Sequence, residues 1–346
     1  MKEDIDTSAL RVCTKCVLPE TFPRIHFDKE GVCNFCLNYK GQRKDQITKA
    51  KYKDRFETLI KKFKGGCTYD ALMCYSGGKD STETLAILKR EYNLNILAVS
   101  IDNGFLSNQT FKNIRSVVET LGIDHIFLKP RFDTLKKIFR YCTENEIYSP
   151  KTLERASVIC TSCMGIIKYG TLRIALEKAI PFVVYGWSPG QAPITSSIIK
   201  NNPQMVKSMQ KALYNPLYQI VGDEITPYFL EEKHFSSSYF FPYYIHPLAF
   251  LDYNEEAVYH NISLLGWKLP EDVDANSTNC LLNSYANVVH KRHLGFHPYA
   301  FEMANLVREG YIDRNIAIKR LNQQENHYIV RIVKNKLEEI VDYSND

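Results

Sequence analysis

Residues 71–84 read ALMCYSGGKDSTET: a short apolar run, then Ser76, Gly77, Gly78, Lys79, Asp80 and Ser81, then a stretch able to continue as helix. A strand that stops at a Ser-Gly-Gly turn and reopens as a helix gathers backbone N–H groups and the helix's positive end around one point, where a phosphate can sit. Ser76 and Ser81 add hydroxyl donors and Lys79 adds charge. Asp80 can hold a Mg²⁺ that is itself bound to phosphate oxygens. The turn is neither G-x-x-x-x-G-K-[ST] nor G-x-G-x-x-G, so it has to be judged on its own terms. The plainer alternative, a turn that only joins strand to helix, leaves this polar set unexplained.

Working outward, short β-rich runs alternate with helical periods. ALMCY leads to a helix through ETLAILKREYN, and ILAVSID to one through QTFKNIRSVVETLG. HIFLK leads to FDTLKKIFRYC, and FVVYG follows a helix from about Met164 to Lys178. This alternation predicts β-α-β crossovers and a doubly wound, Rossmann-like parallel sheet with helices on both faces. Ligands of such sheets bind beyond the carboxyl ends of the strands, where strand order reverses. The glycine turn, Asp102 with Asn103 and Gly104, and Gly186 with Trp187 and Ser188 should share that rim. Asp102 has two readings, contact with ribose, adenine or metal, and plain turn residue.

The chain has 346 residues, 45% hydrophobic, with net charge +5. That charge suits anionic ligands without singling out nucleic acid. The polar N-terminus, MKEDIDTSAL, and the lack of an obvious ~18-residue apolar run point away from a signal sequence and a membrane span, and toward the cytoplasm. Ten cysteines in a reducing compartment are more naturally metal ligands or reactive groups than disulfides.

Two pairs, Cys13/Cys16 and Cys33/Cys36, are C-x-x-C knuckles at the two ends of a short, proline-punctuated segment. This is the spacing of a ribbon wrapped on one tetrahedral Zn²⁺, with no position left for water and hence a structural role. From Asn38 to Gly66 a basic amphipathic helix follows. Cys160 and Cys163 form a third C-x-x-C, and Cys280 stands alone far downstream. Three such thiols have three readings: ligands of a [4Fe–4S] cluster with one iron left open, a redox or persulfide set, or small buried hydrophobes. Nearby helix N-termini would lower their pKa and favour the reactive readings. Cys67, Cys74 and Cys142 have no partner pattern and read as structural.

WSPGQAPITSS suggests a pocket-lining loop with Ser188, Gln191, Thr195 and Ser196 as polar contacts. SSSYFFPYYIHPLAF is too apolar for a free loop; it reads as a domain or subunit interface, which leaves a homodimer open, as an aromatic patch that stacks bases, or, the better reading, as core. Beyond Asp252 the pattern is helical. His290, His293 and His297 lie across a helix end marked by Gly295 and Pro298, which argues for a basic contact surface rather than a metal site. The chain thus divides into a zinc-ribbon segment (1–45), a central α/β domain (46–250) and a C-terminal helical region for substrate or partner (251–346).

S-G-G-K-D-S after a strand is similar to the PP-loop of the N-type ATP pyrophosphatases, the adenine nucleotide alpha-hydrolase-like, HUP-type group. Over nearly the whole chain, C-x-x-C-V, F-D-x-x-G-V-C-x-x-C, L-G-F, L-V-R-E-G-Y-I and R-N-I-A-I resemble its N-acetyl sugar amidotransferase branch. Cys160, Cys163 and Cys280 depart from that branch and resemble instead the iron–sulfur tRNA thiolases. The resemblance implies ATP and Mg²⁺ at Ser76, Gly77, Gly78, Lys79, Asp80 and Ser81, with Asp102 and Gly186 nearby. It implies adenylation of a carbonyl or amide oxygen on a sugar nucleotide, small metabolite or tRNA base. The oxygen is then replaced by sulfur from a sulfur-donor protein, with Lys79, Asp80, Cys160, Cys163 and Cys280 as catalytic groups, or by ammonia from a glutaminase subunit.

Overall fold

The structure, a computed structural model, describes residues 10–236, 239–274 and 276–339, with the side chains of 42–44 left aside. Two expectations fall partly outside these residues: the polar N-terminus (1–9), and the end of the last helix, expected near Val341. Helices of eight residues or more are numbered here.

Six strands form one sheet in the order β3-β2-β1-β4-β6-β5. They are β1 (Ala71–Cys74), β2 (Ile96–Ile101), β3 (Asp124–Leu128), β4 (Phe182–Tyr185), β5 (Ile198–Lys200) and β6 (Tyr243–Ile245). All neighbours pair in parallel except β5, which runs antiparallel to β6 at the edge. The helices are α1 (Gln42–Phe63), α2 (Lys79–Arg90), α3 (Asn108–Leu121), α4 (Phe132–Glu144), α5 (Val158–Glu177), α6 (Pro203–Val221), α7 (Glu255–Ser263), α8 (Leu282–Leu294), α9 (Ala300–Arg308), α10 (Arg314–Leu321) and α11 (His327–Glu338).

β1, β2 and β4 are buried throughout, so they read as unbroken apolar runs rather than as alternation. Their side chains still divide between two faces. Leu72, Leu97, Val99 and Val183 face a core closed by α4, α5, α6 and α8. Ala71, Met73, Ile96, Ala98 and Val184 face a second core closed by α1, α2, α3 and α7. The doubly wound sheet expected from the sequence is therefore present. Strand order reverses between β1 and its neighbours β2 and β4, which puts the turn after β1 at the switch point.

The aromatic stretch packs as core: it supplies strand β6 and buried side chains of both cores, including Phe241, Tyr244, Ile245 and Phe250. Three-residue strands such as β5 and β6 are too short to show a period, so tertiary pairing defines them. Three other readings are corrected. The helix expected from about Met164 begins at Val158, capped by the Ser157 hydroxyl, which accepts from the Cys160 N–H. By length and composition that helix also passes for a membrane span, contrary to the sequence reading, and it is mostly buried inside the fold.

The third correction concerns the histidines. His290 and His297 are buried at 2% and 4% exposure, and burial drives each down to about 3, so they are neutral core groups. His293 is half-buried and faces Glu146 at 3.7 Å. The basic contact surface does not exist. α8 does end where expected, with Gly295 in the left-handed conformation as its cap.

A third core joins the two ends of the chain. Phe22 packs edge-on to Phe296 and Phe35 and stacks on Phe301, with centroids 5.1, 5.7 and 5.7 Å away. Leu18, Val32, Met303, Ala304 and Ala317 complete it. Arg314 donates from Nε to the Cys16 carbonyl and from Nη2 to the Cys13 carbonyl, both at 2.8 Å.

Candidate active site and metal centre

The turn after β1 is built as its sequence suggests. Gly77 has φ of +76°, and a Cβ there would stand 2.7 Å from Ile114 on α3. The Ser76 and Ser81 hydroxyls lie 3.0 Å apart, and the Trp267 indole N–H donates to the Gly77 carbonyl at 2.9 Å. Gly186, at the end of β4, is where the first turn of α2 passes over the next strand. A Cβ there would stand 2.3 Å from the Ser81 Cα, so Gly186 acts by letting backbones approach and shapes the turn from below.

Lys79 and Asp80 face each other. The Lys79 ammonium donates to both Asp80 oxygens at 2.8 and 3.0 Å and to Tyr253 Oη at 2.9 Å, and pairs with Glu255 at 3.3 Å. Against the burial that opposes it, Asp80, Tyr253 and Glu255 hold Lys79 well above its ordinary value. Glu255, although burial works to raise it, is held below the usual carboxylate range by Arg320 at 2.5 Å and by Lys79. These groups line a small cavity of about 50 Å³ together with Ser188, Gln191, Thr278 and Glu302. Ser188 Oγ and Gln191 Nε2 donate to the two Glu302 oxygens at 2.5 and 3.1 Å, and burial raises Glu302. Two of the four loop contacts expected from the sequence thus reach the cavity. Thr195 does not line it, and its carbonyl accepts from Tyr52 Oη; Ser196 does not line it either.

Asp102 makes the contacts of a turn residue. Its Oδ1 accepts from the Gly104 N–H at 2.8 Å, and its Oδ2 pairs with Lys129 at 3.3 Å. Asn103 beside it does more. Its Oδ1 is fixed by the Phe105 N–H at 2.9 Å, which aims its amide group at Cys163 Sγ and Cys280 Sγ, each 3.5 Å away. Asn283 reaches Cys160 Sγ at 3.9 Å and Tyr299 Oη at 3.1 Å. Cys280 is therefore brought beside Cys160 and Cys163, over a hundred residues away in the chain, two residues from the Thr278 contact with the glycine turn. Burial pushes Cys160 up to about 11, Cys163 up to about 12, and Cys280 upward, with the other cysteines of the set adding to the rise at Cys160 and Cys163. The helix-terminus lowering expected from the sequence is outweighed by desolvation.

The four N-terminal cysteines are arranged differently. Their sulfurs all lie within 4.8 Å of one another, with Cys13–Cys36 at 3.9 Å and Cys16–Cys33 at 3.7 Å. A tetrahedron of thiolates at the Zn–S distance of about 2.3 Å has an edge of about 3.8 Å, so the set fits a single tetrahedral ion. The thiol hydrogen bond from Cys16 holds Cys13 down at about 5 and Cys36 at about 4, while Cys16 itself is raised by the same crowding. Among the described residues this is the one group of three or more Cys, His, Asp or Glu side chains at such spacing. Cys160, Cys163 and Cys280 are not among such tight groups. Three buried thiols with side-chain amides donating toward their sulfurs are a donor set of the kind an iron–sulfur cluster takes.

Thr278, Tyr253, Glu255, Glu302 and Arg320 were not identified from the sequence, and Asn103 was placed at the rim without its role toward the thiols. Asn103 and Thr278 sit beside motif residues, in DNG and STNC, and the signal was their adjacency. The others come from C-terminal elements with no local pattern.

No protein-family model matches the chain. An uncharacterized protein of Methanocaldococcus jannaschii, MJ1599, is 23% identical over 300 residues, spanning 83% of this chain and 88% of that protein. Solved structures with some likeness include the U34-tRNA thiolase NcsA from Methanococcus maripaludis with its [4Fe–4S] cluster. It is 17% identical, covers 97% of this chain and 91% of that one, and has a TM-score of 0.35. NMN synthetase from Francisella tularensis is 12% identical, with 85% and 98% coverage and a TM-score of 0.35. A predicted subunit of tRNA methyltransferase from Methanocaldococcus jannaschii is 16% identical, with 56% and 74% coverage and a TM-score of 0.29. Likeness at this level does not transfer an activity.

Proposed function

We propose that the chain is a PP-loop ATP pyrophosphatase-type transferase that adenylates a carbonyl or amide oxygen and replaces it with sulfur. The observation that carries this reading is the junction of two sites. Thr278 touches the glycine turn, and Cys280, two residues on, shares the Asn103 amide with Cys163, one turn of helix from Cys160.

In the first half-reaction the acceptor oxygen attacks the α-phosphorus of ATP. The α–β P–O bond breaks, and pyrophosphate leaves toward Ser76, the backbone N–H groups of the turn and the N-terminus of α2, where its charge is stabilised. Lys79 offsets charge on the phosphates once released from Asp80, and Asp80 is then free to hold Mg²⁺. In the second half-reaction a sulfur nucleophile attacks the activated carbon, and AMP leaves with the original oxygen. Cys160, Cys163 and Cys280 would hold a [4Fe–4S] cluster, which supplies an open iron for sulfide. The chain's own contribution is to shield that pocket and to orient the thiols through Asn103 and Asn283. Zn²⁺ is assigned to Cys13, Cys16, Cys33 and Cys36 as a folding ion. The acceptor is a sugar nucleotide, small metabolite or tRNA base, the sulfur comes from a donor protein, and the setting is cytoplasmic.

The second reading keeps the first half-reaction and uses ammonia from a glutaminase subunit. Against it, the thiols face the pocket, and the motif residues shared with the amidotransferase branch, among them Phe296, Leu306 and Arg314, spend their side chains on docking the ribbon.

The test is product analysis with labelled ATP on anaerobically purified protein. Wild type is expected to release AMP and pyrophosphate, and Asp80→Ala to lose this by at least about a hundredfold while remaining folded. ADP as product overturns the adenylation reading. Colourless protein binding zinc alone, prepared without oxygen, counts against sulfur insertion and favours ammonia.

A further inference from the structure

Residues 276–280 read NSTNC and lie across the glycine turn. The Thr278 hydroxyl accepts from the backbone N–H of Lys79 at 2.9 Å. That N–H belongs to the first residue of α2, which has no partner within the helix, and it is one of the donors a phosphate oxygen would take. The Asn279 side chain donates to the Ser76 carbonyl at 3.2 Å, so the segment grips the turn at both ends of the motif.

Behind this contact the segment is tied to the loop that carries Asn103. The Asn279 carbonyl accepts from the Ser107 N–H at 3.1 Å and from Thr110 Oγ1 at 3.0 Å, and the Leu281 N–H donates to the Phe105 carbonyl at 2.9 Å. Cys280 lies between those anchors and bridges to Leu106. In front, among the described residues, the segment is held mostly by side chains: Thr278 and Asn279 on the turn, the Asn276 amide on the Arg320 carbonyl at 3.5 Å, and a local turn in which the Ser277 and Asn276 N–H groups donate to the Asp274 carbonyl and carboxylate, both at 2.9 Å.

We infer that residues 276–280 form a strap whose Thr278 oxygen occupies a phosphate-oxygen position, that the phosphates of a bound nucleotide displace it, and that its release opens the turn beside Cys280. This rests on the reading of residues 76–81 as an ATP site and adds an order of events to it. Binding then exchanges one acceptor on the Lys79 N–H for another, which costs the nucleotide the Thr278 hydrogen bond. The sulfur pocket loses its cover on that side only when ATP is in place.

The experiment is calorimetric titration with magnesium α,β-methylene-ATP and, separately, with inorganic pyrophosphate, on the full chain with its metals. Thr278→Ala is expected to bind both about threefold to tenfold tighter than wild type, and Thr278→Ser to match wild type within about twofold. Unchanged or weaker binding by Thr278→Ala overturns the inference. Should that variant not fold, Thr278→Val is read by the same criterion. Hydrogen exchange gives a second readout in the wild type. The magnesium α,β-methylene-ATP complex should protect the peptide over 71–84 and speed exchange in the peptide over 274–284. Protection of both peptides, or no change in the second, overturns the strap while leaving the ATP site standing. No binding and no protection at 71–84 overturns the ATP reading and the strap with it.

Discussion

The two cysteine groups share the C-x-x-C spacing and little else. At Cys13, Cys16, Cys33 and Cys36 the sulfurs sit at the edge length of a metal tetrahedron, and two are held low as ready thiolates. Cys160, Cys163 and Cys280 form no such tight group, burial pushes their thiols upward, and side-chain amides rather than other thiols donate toward them. Spacing along the chain brings a pair of thiols together. What they can hold depends on where the rest of the set lies and on how much water is left around it.

The largest expected effect that breaks this contrast is at the ribbon. Cys13→Ser should reduce the bound ion there from about one per chain to near none. The ribbon should then unfold as a unit, since a segment this short is held largely by its metal. Elemental analysis and limited proteolysis within residues 10–40 check this, and retained metal with unchanged cleavage would remove the metal site. Phe22→Ala should cost about 3–5 kcal/mol, because it empties the fully buried ring position between ribbon and helices α9 and α10. Denaturant unfolding measures it, and a loss under about 1 kcal/mol would show that the ribbon docks by other contacts.

The sulfur pocket should respond to pH instead. In protein that keeps the ribbon ion but lacks iron, Cys160 and Cys163 stay protonated in the folded state up to about 11 and about 12. An unfolded thiol ionises near about 8.5, so above that pH the unfolded chain sheds protons that the folded chain retains. Stability should be unaffected below that pH and fall as pH rises toward about 11, by about 1.4 kcal/mol per pH unit for each thiol. A flat profile of denaturation midpoint between pH 8.5 and 10.5 would contradict this. In the same protein at pH 8, iodoacetamide should modify these two thiols at least about a hundredfold more slowly than exposed Cys67.

The smallest effect sharpens the contrast. Asn103→Ala should cost only about 1–2 kcal/mol through the Phe105 N–H it leaves unpaired, yet it should speed alkylation of Cys163 and Cys280 while leaving Cys160 as it was. Equal acceleration at all three would mean general loosening rather than loss of two specific contacts.

Much of this was legible in the sequence. The glycine turn stands at the carboxyl edge where strand order reverses, because apolar runs and helical periods alternate over residues 71–186 strongly enough to dictate a parallel sheet. The C-x-x-C pairs of the ribbon are local, so their pairing survives any tertiary arrangement. The histidines were misread because HKRHLGFH looks basic and exposed in one dimension. Phe296 covers His290 because the chain folds back after Gly295, and His297 faces Glu325 on a later segment; neither is visible in the one-dimensional pattern.

The sequence by itself determined the strand-turn-helix that presents an anion cradle and the knuckles that can wrap an ion, since both are short-range geometry. Only the tertiary structure decided that Cys280 meets Cys160 and Cys163, that Thr278 lies on the cradle, and that burial pushes those thiols upward. Convergence across more than a hundred residues and loss of solvent are properties of the packed chain, and neither leaves a periodic trace along it.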